Sequence, residues 1–141
     1  MKKSNEVGVM IVTMISALLF CSLIIMASLS PLAESGPNAN EFGSLGMWSA
    51  VGMILVLYIL PLMIYKVGVA AMRYIMAVFC GIGIFINVAN IGIVSLIGLK
   101  VSPFPYLAEI AGISIAAVIV NIIWFFVAFR SPKKPSVVLS N

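Results

Sequence analysis

The residues of this chain that are best suited to bind a ligand or take part in chemistry are polar side chains inside long apolar segments. Asn87 and Asn90 lie three positions apart in one apolar segment, and Asn121 lies in the next, seven positions after Ser114. Residues at these spacings share one face of a helix. Asn and Ser side chains do not titrate near neutral pH. They could line a path for a small solute or ion, but they cannot run a proton-coupled mechanism alone.

The depths of these side chains in a membrane indicate that they meet. With a helical rise of about 1.5 Å per residue, Asn87 and Asn121 differ in depth by only about 6 Å, and two serines of the first segment fall at comparable depths. We therefore predict an intramembrane polar cluster of Asn87, Asn90, Asn121, Ser114, Ser16 and Ser22. Interhelical hydrogen bonding, at about 0.6 kcal/mol per contact, is the favoured interpretation. A polar lining for a small solute or ion is the alternative.

The residue combinations that form known catalytic sites are mostly absent from the sequence. The chain has no His and no Asp, which excludes Ser-His and Cys-His pairs, aspartyl dyads and bis-His haem ligation. Of the four glutamates, Glu6 is expected on the opposite side of the membrane from the other three. Cys21 and Cys80 differ in depth by about 12 Å, whereas a disulfide needs Cα atoms within about 7 Å. We expect no enzyme, no cofactor, no metal site and no disulfide.

The ends of the apolar segments carry the remaining distinctive side chains. Glu109 lies in the first turn of the fourth segment, where the helix dipole favours a negative charge, and Lys100 on the same side is its expected partner in an ion pair. Trp48 and Trp124 are expected to belong to aromatic belts at the two membrane interfaces.

Hydropathy identifies the elements that must position these residues. The chain is 63% hydrophobic and 9% charged, far outside the range of soluble proteins. Each bilayer span needs about 20 apolar residues, so four spans use most of the sequence. We predict one membrane domain over residues 1–141. Its spans cover about 7–29, 47–65, 74–99 and 108–129, its outer loops 30–46 and 100–107, its inner loop 66–73, and its disordered tail 130–141.

The distribution of basic residues predicts the orientation. Seven of the eight face one side if the N-terminus is inside, namely Lys2, Lys3, Lys66, Arg73, Arg130, Lys133 and Lys134, and only Lys100 faces the other. The positive-inside rule favours this topology. We therefore predict an all-α, antiparallel bundle of four transmembrane helices in the cytoplasmic membrane, with both termini cytoplasmic. The basic residues should contact the anionic leaflet rather than nucleic acid. A cleaved signal peptide is disfavoured, because its apolar core would usually span 7 to 15 residues.

Small residues recur every four positions on two of the predicted helices. Ala108, Gly112 and Ala116 form one such stripe on the fourth segment, and Ala77 with Gly81 forms another on the third. Stripes of this kind let helix backbones approach closely in lipid. Contacts within the bundle are the favoured interpretation, and a homodimer face is the alternative.

Two stretches also resemble a known group of proteins. Residues 18–36 (LLFCSLIIMASLSPLAESG) and 38–48 (NANEFGSLGMW) are similar to small uncharacterised four-span membrane proteins of spore-forming Gram-positive bacteria. This resemblance implies a membrane fold and brings no activity. The residues themselves favour a non-catalytic accessory, regulatory or immunity-type protein that acts through helix contacts. A minimal transporter or channel subunit, with a polar path at Asn87, Asn90 and Asn121, is the alternative.

Overall fold

The structure is a computed structural model that describes residues 2–30, 33, 41–98 and 105–130. These residues form four helices: α1 (Lys2–Leu29), α2 (Leu45–Lys66), α3 (Met72–Gly98) and α4 (Pro105–Phe129). Each of the four is long and apolar enough to cross a membrane. The predicted all-α architecture with four apolar helices is therefore confirmed. The points at which the helices enter lipid, and the side on which the termini lie, remain predictions.

Several predicted features lie outside the described residues. Lys100 and the tail beyond Arg130 belong to this group, together with parts of both predicted outer loops. The connection between α2 and α3 is described, and it is short. Helix α2 ends at Lys66, and Gly68 follows with φ +111°, a left-handed conformation that glycine adopts readily. Residues 67–71 thus reverse the chain and place α3 beside α2.

The buried residues of α4 follow a spacing of three and four: Leu107, Ile110, Ser114, Ala117, Asn121, Trp124 and Ala128. An average repeat of 3.5 residues keeps one narrow seam of this helix against its neighbours, as in coiled coils. On α1 the same spacing joins Val9, Thr13, Ser16, Phe20 and Leu23, but Ala17, Cys21 and Ser28 are buried too, so α1 presents a wider face.

Polar residues are buried among apolar ones in the interior, while the surface of the packed helices is strongly apolar. Among the described residues, seven buried ones are polar, namely Thr13, Ser16, Ser28, Ser30, Asn87, Ser114 and Asn121. The outer faces carry large apolar side chains such as Phe85 and Phe126, which are 77% and 75% exposed. A protein surrounded by water places few polar groups inside and many on its surface. The arrangement instead suits helices whose outer faces meet hydrocarbon.

Packing is most complete at one end of the molecule. The end that contains Asn5, Lys66, Met72 and Arg130 is here named the inner end, and the opposite one the outer end. A core near the inner end combines residues of all four helices: Val9, Leu62, Met76, Cys80, Trp124 and Ala128. A core near the outer end, formed by Val94, Leu107 and Ile110 with Met26 against it, contains no residue of α2. Neighbouring helices are antiparallel, and α2 and α3 are the least tightly packed pair.

Candidate functional site

Ser16 is the centre of a hydrogen-bonded group that joins three helices. Its Oγ atom on α1 lies 2.8 Å from Oδ1 of Asn121 on α4 and 3.2 Å from the hydroxyl oxygen of Tyr58 on α2. A serine hydroxyl carries one hydrogen and two lone pairs. Ser16 can therefore donate to Asn121, its shorter contact, while Tyr58 donates to Ser16. Removing this one hydroxyl would leave both neighbours without their shared partner.

Helix α3 joins the same group through Asn87 and Gly83. The Nδ2 atom of Asn87 donates to the carbonyl oxygen of Gly83 at 2.7 Å. A Cβ atom added to Gly83 would lie 2.9 Å from Cζ of Phe20 and 3.4 Å from Nδ2 of Asn121. The absent side chain of Gly83 thus leaves room for the Phe20 ring of α1 and lets α3 pack closely against α4. The Asn121 amide lies beside the helical turn that Asn87 binds, so the structure brings both amides to one level.

Three buried polar atoms in this region have no hydrogen-bond partner among the described residues. They are Oδ1 of Asn87, Oγ of Ser114 and Nδ2 of Asn121, and each of these residues is 0% exposed. The free group of Asn87 is an acceptor, that of Asn121 is a donor, and a hydroxyl can be either. Water, which both donates and accepts hydrogen bonds, could satisfy each of these atoms separately. A bare cation could not pair with Asn121, because the amide hydrogens would repel it.

A second hydrogen-bonded pair lies one turn closer to the inner end. Nε1 of Trp124 donates to Oγ1 of Thr13 at 2.8 Å, and Thr13 in turn donates to the carbonyl oxygen of Val9 at 2.7 Å. A cavity of about 10 Å³ lies beside Thr13, Tyr58 and Cys80. This volume is close to the minimum that one water molecule needs.

The predicted polar cluster is assembled only in part. Asn87, Asn121, Ser114 and Ser16 are fully buried, whereas Ser22 is exposed and Asn90 is only half-buried. Ser22 is exposed because of its angular position around the helix axis. It lies six positions after Ser16, which turns it about 240° around the helix axis and away from the interior. Asn90 is about 60° away from the direction of Asn87 for the same reason. Similar depth was therefore not enough to bring these two residues into the cluster.

Several residues of the site are missing from the prediction made from sequence. Thr13 and Tyr58 belong to the polar group, and Trp124, which we expected only in an interfacial belt, is fully buried and donates to Thr13. The spacing of three and four positions could have identified two of them, because it links Thr13 to Ser16 and Trp124 to Asn121. Cys21 and Cys80 are both free and buried.

The predicted stripe of small residues on α4 lies on the outer surface. Ala108 and Gly112 are exposed and Ala116 is half-buried, so they do not form the contact within the molecule that we expected. The buried seam of α4 passes through other positions, on a different face of the helix. On α3, Ala77 and Gly81 are half-buried, and a Cβ atom added at Gly81 or Gly112 would meet nothing within 4 Å. Gly83 supplies the close approach instead.

Charged side chains are remote from the polar cluster. Glu109 is exposed at the start of α4, and its predicted partner Lys100 lies outside the described residues, so their ion pair remains a prediction. Among the residues that the structure describes, no three His, Cys, Asp or Glu side chains form a group that could hold a metal ion. Neutral hydrogen-bonding chemistry is therefore what this site can offer.

Comparison with known proteins gives a family and no activity. The chain is 52% identical over 134 residues to the uncharacterized protein YxaJ of Bacillus subtilis (strain 168), an alignment that covers 93% of this chain and 92% of that protein. No solved structure matches the chain. The resemblance to an uncharacterised family is confirmed at this level, while a restriction to spore-forming bacteria remains untested. The chain belongs to the family of unknown function DUF5391, which matches its residues 1–133.

Proposed function

We propose that the protein is a non-catalytic accessory, regulatory or immunity-type protein of the cell membrane, and that it acts through helix contacts with itself or with another membrane protein. The outward position of Ala108, Gly112 and Ala116 is the observation that carries this proposal. Helices in lipid associate through close backbone packing, for which small residues at spacings of four are suited. Because α4 does not use this stripe within the molecule, the stripe is free to contact another helix.

A buried hydrogen bond between helices supports the same proposal. Ser16 and Asn121 are fully buried and bound to each other across α1 and α4, so their contact favours one arrangement of these helices. The buried seam of α4 lies on a different face from the stripe. One face of α4 can therefore hold the molecule together while the other contacts a partner.

A matched pair of glycine substitutions tests the proposal. Gly112 and Gly92 are both exposed helical glycines with open space around them, on α4 and α3 respectively. A tagged protein extracted with mild detergent should co-purify with a second copy or a defined membrane partner. Gly112→Leu should abolish this co-purification, because its side chain would separate the two backbones. Gly92→Leu should preserve it. Isolation of the unaltered protein as a lone monomer, or equal loss in both variants, would contradict the proposal.

A minimal transporter or channel subunit is the second candidate. The unpartnered buried atoms of Asn87, Ser114 and Asn121 favour it, because they offer hydrogen bonds to a small polar solute. The path would pass Asn87, Asn90 and Asn121. In a background without the two native cysteines, Asn87→Cys and Asn121→Cys should then react with aqueous thiol reagents. Ala117→Cys, at an equally buried apolar position of α4, should not react. Complete inertness at both asparagine positions would exclude the path.

A further inference from the structure

Arg73 is held in a fixed position at the inner end of the molecule. Its Nη1 atom donates to the carbonyl oxygen of Ala128 at 3.2 Å, near the C-terminal end of α4. Its Cζ atom lies 5.2 Å from the ring centre of Phe129 and 5.5 Å from that of Tyr74, both within the range of cation–π contacts. These contacts come from α3 and α4, so the guanidinium group is positioned by the packing of two helices rather than left free in solvent.

The guanidinium group nevertheless retains donors that nothing in the described protein satisfies. The Nε atom of Arg73 is buried and has no hydrogen-bond partner among the described residues. Arginine carries five N–H donors, and the contact with Ala128 uses one of them. No carboxylate in the described part of the chain pairs with this side chain. A half-buried cation without a counter-ion is unfavourable. The geometry therefore favours an anion that approaches the remaining Nη donors, since Nε itself is buried.

A crevice beside Arg73 combines a second cation with an apolar wall. Its volume is about 450 Å³, and it is lined by Phe125, Phe126, Phe129 and Arg130. The rings of Phe125 and Phe129 are stacked, with their centres 6.2 Å apart. The Asn5 side chain donates to the carbonyl oxygen of Arg130 at 3.3 Å, which ties this end of α4 to α1. Phe129 lines the crevice and also contacts the Arg73 guanidinium group, so Arg73 borders the crevice through this one ring.

We propose that this crevice binds one anionic phospholipid. Its phosphate would accept hydrogen bonds from Arg73 and Arg130, because planar guanidinium groups match the geometry of phosphate oxygens. One of its acyl chains would lie against Phe125, Phe126 and Phe129. The aromatic wall favours a lipid over a free phosphate ion, since a free ion would gain nothing from apolar contact. This site lies on different residues from the outer stripe of α4 and goes beyond the accessory function proposed above.

Competition between two lipids tests the site. The purified full-length protein is equilibrated in detergent with equal amounts of phosphatidylglycerol and phosphatidylcholine, and the lipids that remain bound are counted by native mass spectrometry. The unaltered protein should retain one phosphatidylglycerol in preference to phosphatidylcholine. Arg73→Gln should reduce this preference by about tenfold or more, as expected for the loss of charge-assisted hydrogen bonds. Arg130→Gln should also reduce this preference. Because the Arg130 side chain is exposed, the substitution should not disturb folding.

Two controls distinguish a specific lipid-binding site from non-specific electrostatic attraction between the protein and anionic lipid. Lys66→Gln removes one positive charge from the same end of the molecule, at an exposed position outside the crevice. It should leave the lipid preference unchanged. Inorganic phosphate should not displace the bound phosphatidylglycerol. The proposal is overturned if Lys66→Gln lowers the preference as much as Arg130→Gln does, if neither arginine substitution changes it, or if inorganic phosphate competes effectively.

Discussion

The stability of the polar cluster should depend far more on Ser16 than on Tyr58. Ser16→Ala and Tyr58→Phe each delete one oxygen atom and preserve the rest of the side chain. Ser16 contacts both Asn121 and Tyr58, whereas Tyr58 makes one hydrogen bond in the group. After Tyr58→Phe, Ser16 can still donate to Asn121, and no remaining polar atom loses its only partner. After Ser16→Ala, both the Asn121 oxygen and the Tyr58 hydroxyl lose theirs.

The magnitudes follow from these contacts. Tyr58→Phe should lower the free energy of unfolding by about 0.6 kcal/mol, the average for one hydrogen bond between membrane helices. Ser16→Ala loses two such contacts and leaves a buried acceptor unpaired, which costs at least about 1 kcal/mol more. We therefore expect a loss of roughly 2 kcal/mol for Ser16→Ala. The double variant should cost no more than Ser16→Ala alone, because it also removes the stranded Tyr58 hydroxyl.

Reversible unfolding by SDS in mixed micelles, followed by far-UV circular dichroism, measures these differences. Each variant must first show the helix content of the unaltered protein. A loss from Tyr58→Phe that equals or exceeds the loss from Ser16→Ala would refute the role of Ser16 as the shared partner. Additive losses in the double variant would refute it as well, since independent sites add and coupled sites do not.

Three further expectations follow from the structure. Thr13→Val should cost about 1–2 kcal/mol, because the buried Trp124 indole N–H loses its acceptor; Thr13→Ser, which retains the hydroxyl, should be nearly neutral in the same unfolding assay. Gly83→Ala should cost about 1–3 kcal/mol through collision with Phe20, whereas Gly81→Ala, two residues away with open space around it, should be neutral or slightly stabilising. An enzymatic reporter fused to the C-terminus should be active in the cytoplasm only. Activity on the outer side of the membrane would refute the predicted orientation.

Hydropathy was sufficient to predict the four helices, because a span needs a long apolar run and the chain contains four of them. Depth along the helix was also sufficient to predict that Ser16 and Asn121 are neighbours, and their side chains are 2.8 Å apart. The direction in which a side chain points was much harder to predict. When the lipid-facing side of a helix is as apolar as its packed side, composition alone does not identify the interior.

The outcome for Ser22 and the stripe of Gly112 illustrates this difficulty. Ser22 was predicted from residue type and depth, and the stripe from residue type and a spacing of four, yet both lie on outward faces. Buried polar residues provided the better guide to the interior, because an unpaired polar group is costly in hydrocarbon. Ser16, Asn121 and Asn87 all lie on the seams along which their helices pack. The close approach at Gly83 depends on the position of Phe20 on another helix, which no local pattern contains.

The polar cluster and the unequal packing of the helices have a common physical basis. Lipid surrounds apolar helices as favourably as they surround one another, so hydrophobic burial contributes little to their association. Hydrogen bonds and close packing must then define the arrangement, and buried hydrogen bonds join the helices where Ser16, Asn121 and Tyr58 meet. Toward the outer end, α2 no longer contributes to the core that joins α3 and α4. We therefore expect a partner or a ligand to change the separation of α2 and α3 at the outer end before it disturbs the inner half.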